Sequence, residues 1–184
     1  SSDLSVWIET YPKLAGDRFY TKKDIQELEE YAAQRHVQLI PEIDVPGHTV
    51  SLLAKYPDMA CIHQREAEKI IGKTGHMMLC AGNEDVYVMM DDIIREVAGM
   101  FKSPLMHLGG DEAWKVNWKK CPRCQARMKA EGLKNEEDLQ GYFMARMARY
   151  VQSKGREVMG WDELTNTDIP EDAIIFGWQG RGQA

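Results

Sequence analysis

Asp111 and Glu112 stand side by side directly after two glycines, in the run His107-Leu108-Gly109-Gly110-Asp111-Glu112. Along a regular strand, consecutive side chains point to opposite faces. Gly109 and Gly110 can take backbone conformations that other residues avoid, so the chain can turn there and bring both acids toward one pocket. Paired acids in one pocket are the equipment for breaking glycosidic bonds. The competing reading is an acidic helix start, where Asp and Glu favour the helix dipole.

The elements around this pair alternate between short apolar strands and amphipathic helices. Thr21 and Asp24 have capping-box spacing, with Asp in place of Glu, and Ile25, Leu28, Tyr31 and Ala32 form a helical stripe after them. Residues 37–44 read as a strand, broken by Pro46-Gly47. Asn83 caps a predicted helix with Val86, Met89, Met90, Ile93, Ile94, Val97 and Phe101 on its apolar face. Residues 105–108 give the next strand. Asn135 caps a further helix carrying Leu139, Tyr142, Phe143, Met147, Tyr150 and Val151, closed by Gly155. Residues 158–161 and 173–178 read as two more strands. Such alternation implies parallel strands joined by crossovers. Each strand ends in polar, aromatic or glycine residues, the pattern of a (β/α)8 barrel or an open doubly wound sheet. No glycine-rich phosphate loop follows a strand, which weakens the nucleotide-binding version.

The 184 residues suffice for one domain, and a net charge of −6 with no basic cluster argues against nucleic acid as a partner. No apolar stretch is long enough to span a bilayer, so no membrane association is expected. The chain starts Ser1-Ser2-Asp3 without an initiator Met, so the lack of a secretory leader says little about compartment. Cys121-Pro122-Arg123-Cys124 has a spacing that can clip a metal or close a tight disulfide. A second CxxC or a nearby His pair would make a convincing zinc site, and neither is obvious. His63 and His76 lie near Cys61 and Cys80 in sequence, which leaves a Cys/His cluster assembled in space open.

Four segments occur in order: Pro41-Glu42-Ile43-Asp44-Val45-Pro46-Gly47-His48, His107-Leu108-Gly109-Gly110-Asp111-Glu112, Gly160-Trp161-Asp162-Glu163 and Gly177-Trp178-Gln179-Gly180. With Tyr11-Pro12-Lys13-Leu14, Tyr20-Thr21 and Leu79-Cys80-Ala81-Gly82-Asn83-Glu84, they resemble glycoside hydrolase family 20, the β-N-acetylhexosaminidases, over almost the whole chain. The resemblance implies a retaining exo-enzyme acting on terminal β-linked GlcNAc or GalNAc of glycans. There the sugar's own 2-acetamido oxygen attacks the anomeric carbon, an exception to the paired-carboxylate scheme. By similarity Glu112 is the general acid/base, Asp111 orients the acetamide, and Asp44 and His48 are a supporting pair beside Glu112. The two acids' roles demand different protonation states, so their surroundings must separate them. Trp161 and Trp178, at strand ends, are expected to contact the sugar, and Trp114 to border the leaving-group side. Trp118 reads as helix packing, Asp162 and Glu163 as rim or capping residues, and His107 as a core histidine. The chemistry requires no cofactor and no metal. Because hydrolases of glycans usually meet their substrates outside the cytoplasm, a periplasmic, secreted or lysosome-like compartment is expected.

The expected fold is α/β, a partial (β/α)8 TIM barrel of about four parallel βα units, the third to sixth of the family barrel. Residues 1–184 are thus expected to be a piece of the catalytic domain. The family's first strand with its sugar-binding Arg, its Asp-rich second loop and its last two units have no counterpart here. Half a barrel would expose two sheet edges and an apolar interior, so self-association and weak or no activity of the isolated chain are expected. Other readings are a non-catalytic carbohydrate-binding or scaffolding piece, release of a disaccharide, cleavage of poly-N-acetylglucosamine, and a thiol-based metal or redox protein.

Overall fold

A computed structural model describes residues 4–61, 77–166 and 169–178. The elements are β1 (Leu4–Val6), β2 (Ala15–Tyr20), α1 (Lys22–Ala33), α2 (Val50–Lys55), α3 (Glu84–Ala98), β3 (Leu105–His107), α4 (Val116–Lys120), α5 (Pro122–Glu131), α6 (Glu136–Ser153), β4 (Glu157–Trp161) and β5 (Ile174–Phe176). His63, His76, Gln179 and Gly180 lie outside the described residues.

The sheet that matters is parallel, in the order β3-β4-β5, with Met106 opposite Val158 and Gly160 opposite Ile175. On the other side of β3 runs the segment 41–45. Ile43 N–H donates to His107 O (2.8 Å), His107 N–H to Pro41 O (2.9 Å) and Val45 N–H to Leu108 O (3.2 Å). The four parallel segments therefore follow one another in space as they do in the chain. A sheet without a reversal in strand order winds like a barrel rather than a doubly wound sheet, and this decides between the two predicted architectures.

The helices form where their caps and stripes place them. The Thr21 hydroxyl accepts from Asp24 N–H (3.2 Å) and Asp24 Oδ2 from Thr21 N–H (2.7 Å), closing the capping box of α1. Asn83 caps α3 through Asp85 N–H (3.3 Å), and Asn135 caps α6 through Asp138 N–H (2.9 Å). The apolar face of α3 packs on that of α6: Val86, Met90, Ile93 and Ile94 meet a core shared with Leu139, Phe143, Met147 and Val151, all fully buried. Arg146 crosses this seam, bonding both Glu84 carboxylate oxygens (3.0 Å each) with its guanidinium 3.6 Å from the Tyr87 ring centroid. Gly155, at φ +69°, turns the chain out of α6 toward β4.

Three expectations need correction. The strand foreseen over 37–44 is reduced to one parallel bridge, Glu42 to His107. It has a hydrogen-bonded neighbour on one side, Pro41 has no N–H to donate, and Val37 and Ile40 are left exposed. On α1 only Ile25 and Ala32 of the stripe are buried. Leu28 and Tyr31 face outward, and Tyr31 is stacked by the Arg35 guanidinium at 3.4 Å. The strand pair β1–β2 and the helices α2 and α5 were not foreseen, and α4 only as the helix that carries Trp118. Gly16 and Asp17 in β2 are residue types depleted in strands. No helix among the described residues is long and apolar enough to cross a membrane.

Candidate active site

The carboxyl end of β3 is shaped by a run of left-handed backbone. Gly109 (φ +66°), Gly110 (φ +98°) and Glu112 (φ +46°) all lie in that region, and so does His48 (φ +52°) on the facing loop. Non-glycine residues rarely adopt it, and such departures concentrate at functional sites. A side chain at Gly109 would overlap the Asp44 carboxylate, and one at Gly110 would meet Leu164 Cδ2 at 2.9 Å. The two glycines thus let the 109–112 turn lie directly against the end of the neighbouring segment.

Asp44, His48, Asp111 and Glu112 come together there. His48 Nε2 is 3.2 Å from Asp111 Oδ2 and 3.4 Å from Glu112 Oε2, so one imidazole nitrogen faces both acids. Asp44 is hydrogen-bonded to Asp111, and its carboxyl is pushed up to about 8. Burial is the main cause, followed by the negative charges of Asp111 and Glu42, against a partly compensating bond from Gly110 N–H. At neutral pH Asp44 is therefore largely protonated and donates to Asp111. Asp111 is largely buried, whereas half of the Glu112 side chain is exposed. Asp111 Oδ1 is buried and accepts no hydrogen bond among the described residues. The carboxylate oxygens of Asp44 and Asp111 and a His48 nitrogen are also close enough to one another to hold a metal ion.

Glu112 opens onto a cleft of about 430 Å³ lined by Trp114, Lys115, Gln140 and Glu163, among others. Trp114 is exposed on this wall, and Lys115 is fixed by Glu137 at 2.9 Å. Trp178 reaches the same region through its indole N–H, which donates to Glu163 Oε2 (3.1 Å). Trp161 ends β4: half-buried, its ring stands edge-on to His107 at 4.7 Å, and its N–H donates to Glu42. The structure thus brings the four polar residues together beside the cleft that Trp114 lines, with Trp161 at the adjacent end of β4.

His107 is buried, as a core histidine should be. Its Nδ1 is 3.1 Å from both Gly109 N and a Glu42 carboxylate oxygen. It makes one of these bonds at a time: protonated there, it donates to Glu42; unprotonated, it accepts from Gly109 N–H. The His107 contact holds the Glu42 carboxyl below the usual carboxylate range. Trp118 is fully buried, as expected of a packing residue. Glu42 and Gln140 were not singled out from the sequence. Gln140 is buried and donates to Gly110 O (2.8 Å), holding the catalytic turn from behind. A lone amide beside Leu139 on an apolar helix face was the available signal.

Residues 5–184 match the family described as glycosyl hydrolase family 20, catalytic domain. The β-hexosaminidase of Porphyromonas gingivalis is 38% identical over 162 residues, 88% of this chain and 21% of that protein. The β-hexosaminidase of Vibrio furnissii is 32% identical over 87% of this chain and 26% of its own length. The chain thus spans about a fifth to a quarter of these relatives. Among solved structures, β-N-acetylhexosaminidase from Bacteroides fragilis superposes with a TM-score of 0.81 at 34% identity, covering 94% of this chain and 36% of that one. A Flavobacterium johnsoniae chitobiase gives 0.83 at 29%, over 97% and 28% of the two chains. An exo-β-N-acetylglucosaminidase from Vibrio harveyi, in complex with N-acetylglucosamine, gives 0.82 at 25%, over 94% and 31%. The α/β architecture with its parallel sheet is accordingly that of the TIM-barrel family. The chain belongs to glycosyl hydrolase family 20, within its catalytic domain.

Proposed function

We propose that the protein carrying this chain is a retaining exo-β-N-acetylhexosaminidase that removes terminal GlcNAc or GalNAc from glycans by substrate-assisted catalysis. Its four parallel segments are assigned to the third to sixth units of the family barrel. The observation that carries the reading is the contrast at the turn after β3. Asp111 is largely buried, its Oδ1 without a hydrogen-bond partner among the described residues, while its neighbour Glu112 opens onto a cleft. The N-acetylglucosamine complex of the Vibrio harveyi relative supports the substrate class.

In the first step the acetamide oxygen attacks the anomeric carbon as the glycosidic C–O bond breaks, and the Glu112 carboxylic acid gives its proton to the leaving oxygen. The resulting oxazolinium carries positive charge on nitrogen, and its N–H donates to Asp111 Oδ1. Water then attacks the same carbon, Glu112 takes its proton, and the acetamide is restored with net retention. The proton that Asp44 holds lies in its hydrogen bond to Asp111, and that bond helps to fix the Asp111 side chain in place. His48 faces both acids and can stabilise each as charge moves.

Glu112→Gln in the full-length protein should lower kcat about 10²–10⁴-fold on alkyl N-acetylglucosaminides. The loss should be much smaller on dinitrophenyl glycosides, whose leaving group needs no proton. Asp111→Asn should slow both substrate types alike. Near wild-type turnover in both variants would overturn the assignment.

A further inference from the structure

We propose that Cys61, Cys80, Cys121 and Cys124 form a tetrathiolate site that holds one structural zinc ion. They are all of the cysteines in the chain, they come from three separate segments, and all are fully buried and unbridged. Cys61 follows the turn Pro57–Met59, Cys80 precedes α3, and Cys121 and Cys124 open α5.

The sulfur positions describe a coordination polyhedron rather than pairs. Sγ separations are 3.8 Å for Cys61–Cys124 and 3.7 Å for both Cys80–Cys121 and Cys80–Cys124, and all four sulfurs lie within 4.8 Å of one another. Zinc–sulfur bonds of about 2.3 Å in a tetrahedron give sulfur–sulfur edges of about 3.8 Å. Two disulfides would divide the four into couples, each closed to about 2.05 Å. Here Cys80 stands equally far from Cys121 and Cys124.

The surrounding backbone is built to hold the loops in this relation. Cys80 N–H donates to Met59 O (2.8 Å), and Ala60 bridges Leu79, so the first two ligand segments are bonded to each other. A side chain at Gly82 would overlap the Arg123 backbone, so the loop after Cys80 rests directly on the turn between Cys121 and Cys124. Trp118 closes the side, its indole N–H donating to Leu79 O (3.0 Å). A chance meeting of four small apolar residues in a core would not require this close approach of two backbones. The ion would pin α5, and with it α4, whose Val116 and Lys119 line the Glu112 cleft. Its role is to hold a wall of that cleft; it has no part in the bond cleavage proposed above and does not depend on it.

The test is metal analysis of the full-length protein, untagged and purified in reductant without chelator or added metal. About one zinc per chain is expected, released in step with thiol modification by a mercurial and followed with a zinc dye. Cys121→Ser/Cys124→Ser should retain at least about tenfold less zinc, whereas Asp111→Asn should keep it, which separates this site from the Asp44–His48–Asp111 cluster. Should the double variant fail to fold, wild-type stoichiometry and mercurial release decide alone. Trace metal with four free thiols, two disulfides by mass, or one equivalent of iron would each overturn the zinc assignment.

Discussion

Gly109 does two jobs that a comparison can separate. It sits at φ +66° and its α-carbon faces the Asp44 carboxylate without room for a side chain, whereas Gly132, at φ +69°, has open space around it. Gly132→Ala should therefore cost about 1–2 kcal/mol from backbone conformation alone. Gly109→Ala should cost more in thermal denaturation and also abolish turnover, because Asp44 must move. Equal losses of stability, with activity intact, would contradict the packing argument. Asp44 gives a second prediction. Its carboxyl is near the usual 3.8 in the unfolded chain and about 8 in the folded one. Between those values the folded protein holds a proton that the unfolded chain has released, so Asp44 makes stability fall as pH rises from about 4 to about 8. Asp44→Asn should flatten that part of the Tm–pH curve relative to wild type, and an unchanged slope would refute the shift. The Asp111–Glu112 pair stood out by residue types and order, and His48 only through the family resemblance. The proton on Asp44 was not, because it arises from burial and a neighbour 67 positions along the chain.

Helix caps were the most readable local structure, since a Thr, Asn or Asp at the right spacing satisfies amides within the same few residues. Asn135→Ala should lower stability by about 1 kcal/mol, measurable by chemical denaturation. Phe143→Ala, inside the α3–α6 seam, should cost about 3–5 kcal/mol, and a loss no larger than the cap's would show that the seam is not the main core contact. Strand 37–44 failed as a prediction for the opposite reason. Its hydrogen bonds depend on a partner some sixty residues away, and its apolar pattern says nothing about how much of that partner is paired. The same non-locality hid the cysteine cluster, in which a single CxxC gains its other two sulfurs through folding alone.

Strand order reads out the winding of the sheet, which among the described residues ends at β5 on one side and at the 41–45 segment on the other. Ile174 and Phe176 on β5 are exposed, and an apolar cavity of about 620 Å³ lies between α1, α3 and the 41–45 segment, lined in part by Leu28, Ile40, Leu52 and Val97. Such surfaces favour association. The 184-residue chain alone should self-associate and turn over aryl N-acetylglucosaminides weakly or not at all. A monomer that survives dilution in light scattering would sink the first expectation, and efficient turnover the second. The parallel strands were visible in the sequence as alternation, whereas the choice of a barrel came from the family resemblance.

The bond from Gln140 to the carbonyl of Gly110 has a consequence for motion. It ties the turn bearing both acids to the second turn of α6, the longest helix among the described residues, through a buried amide. The turn and the helix should then open as a single cooperative unit, with amide hydrogen exchange near Gly110 as slow as in the centre of α6. Sugar binding and bond cleavage would then proceed against a fixed floor.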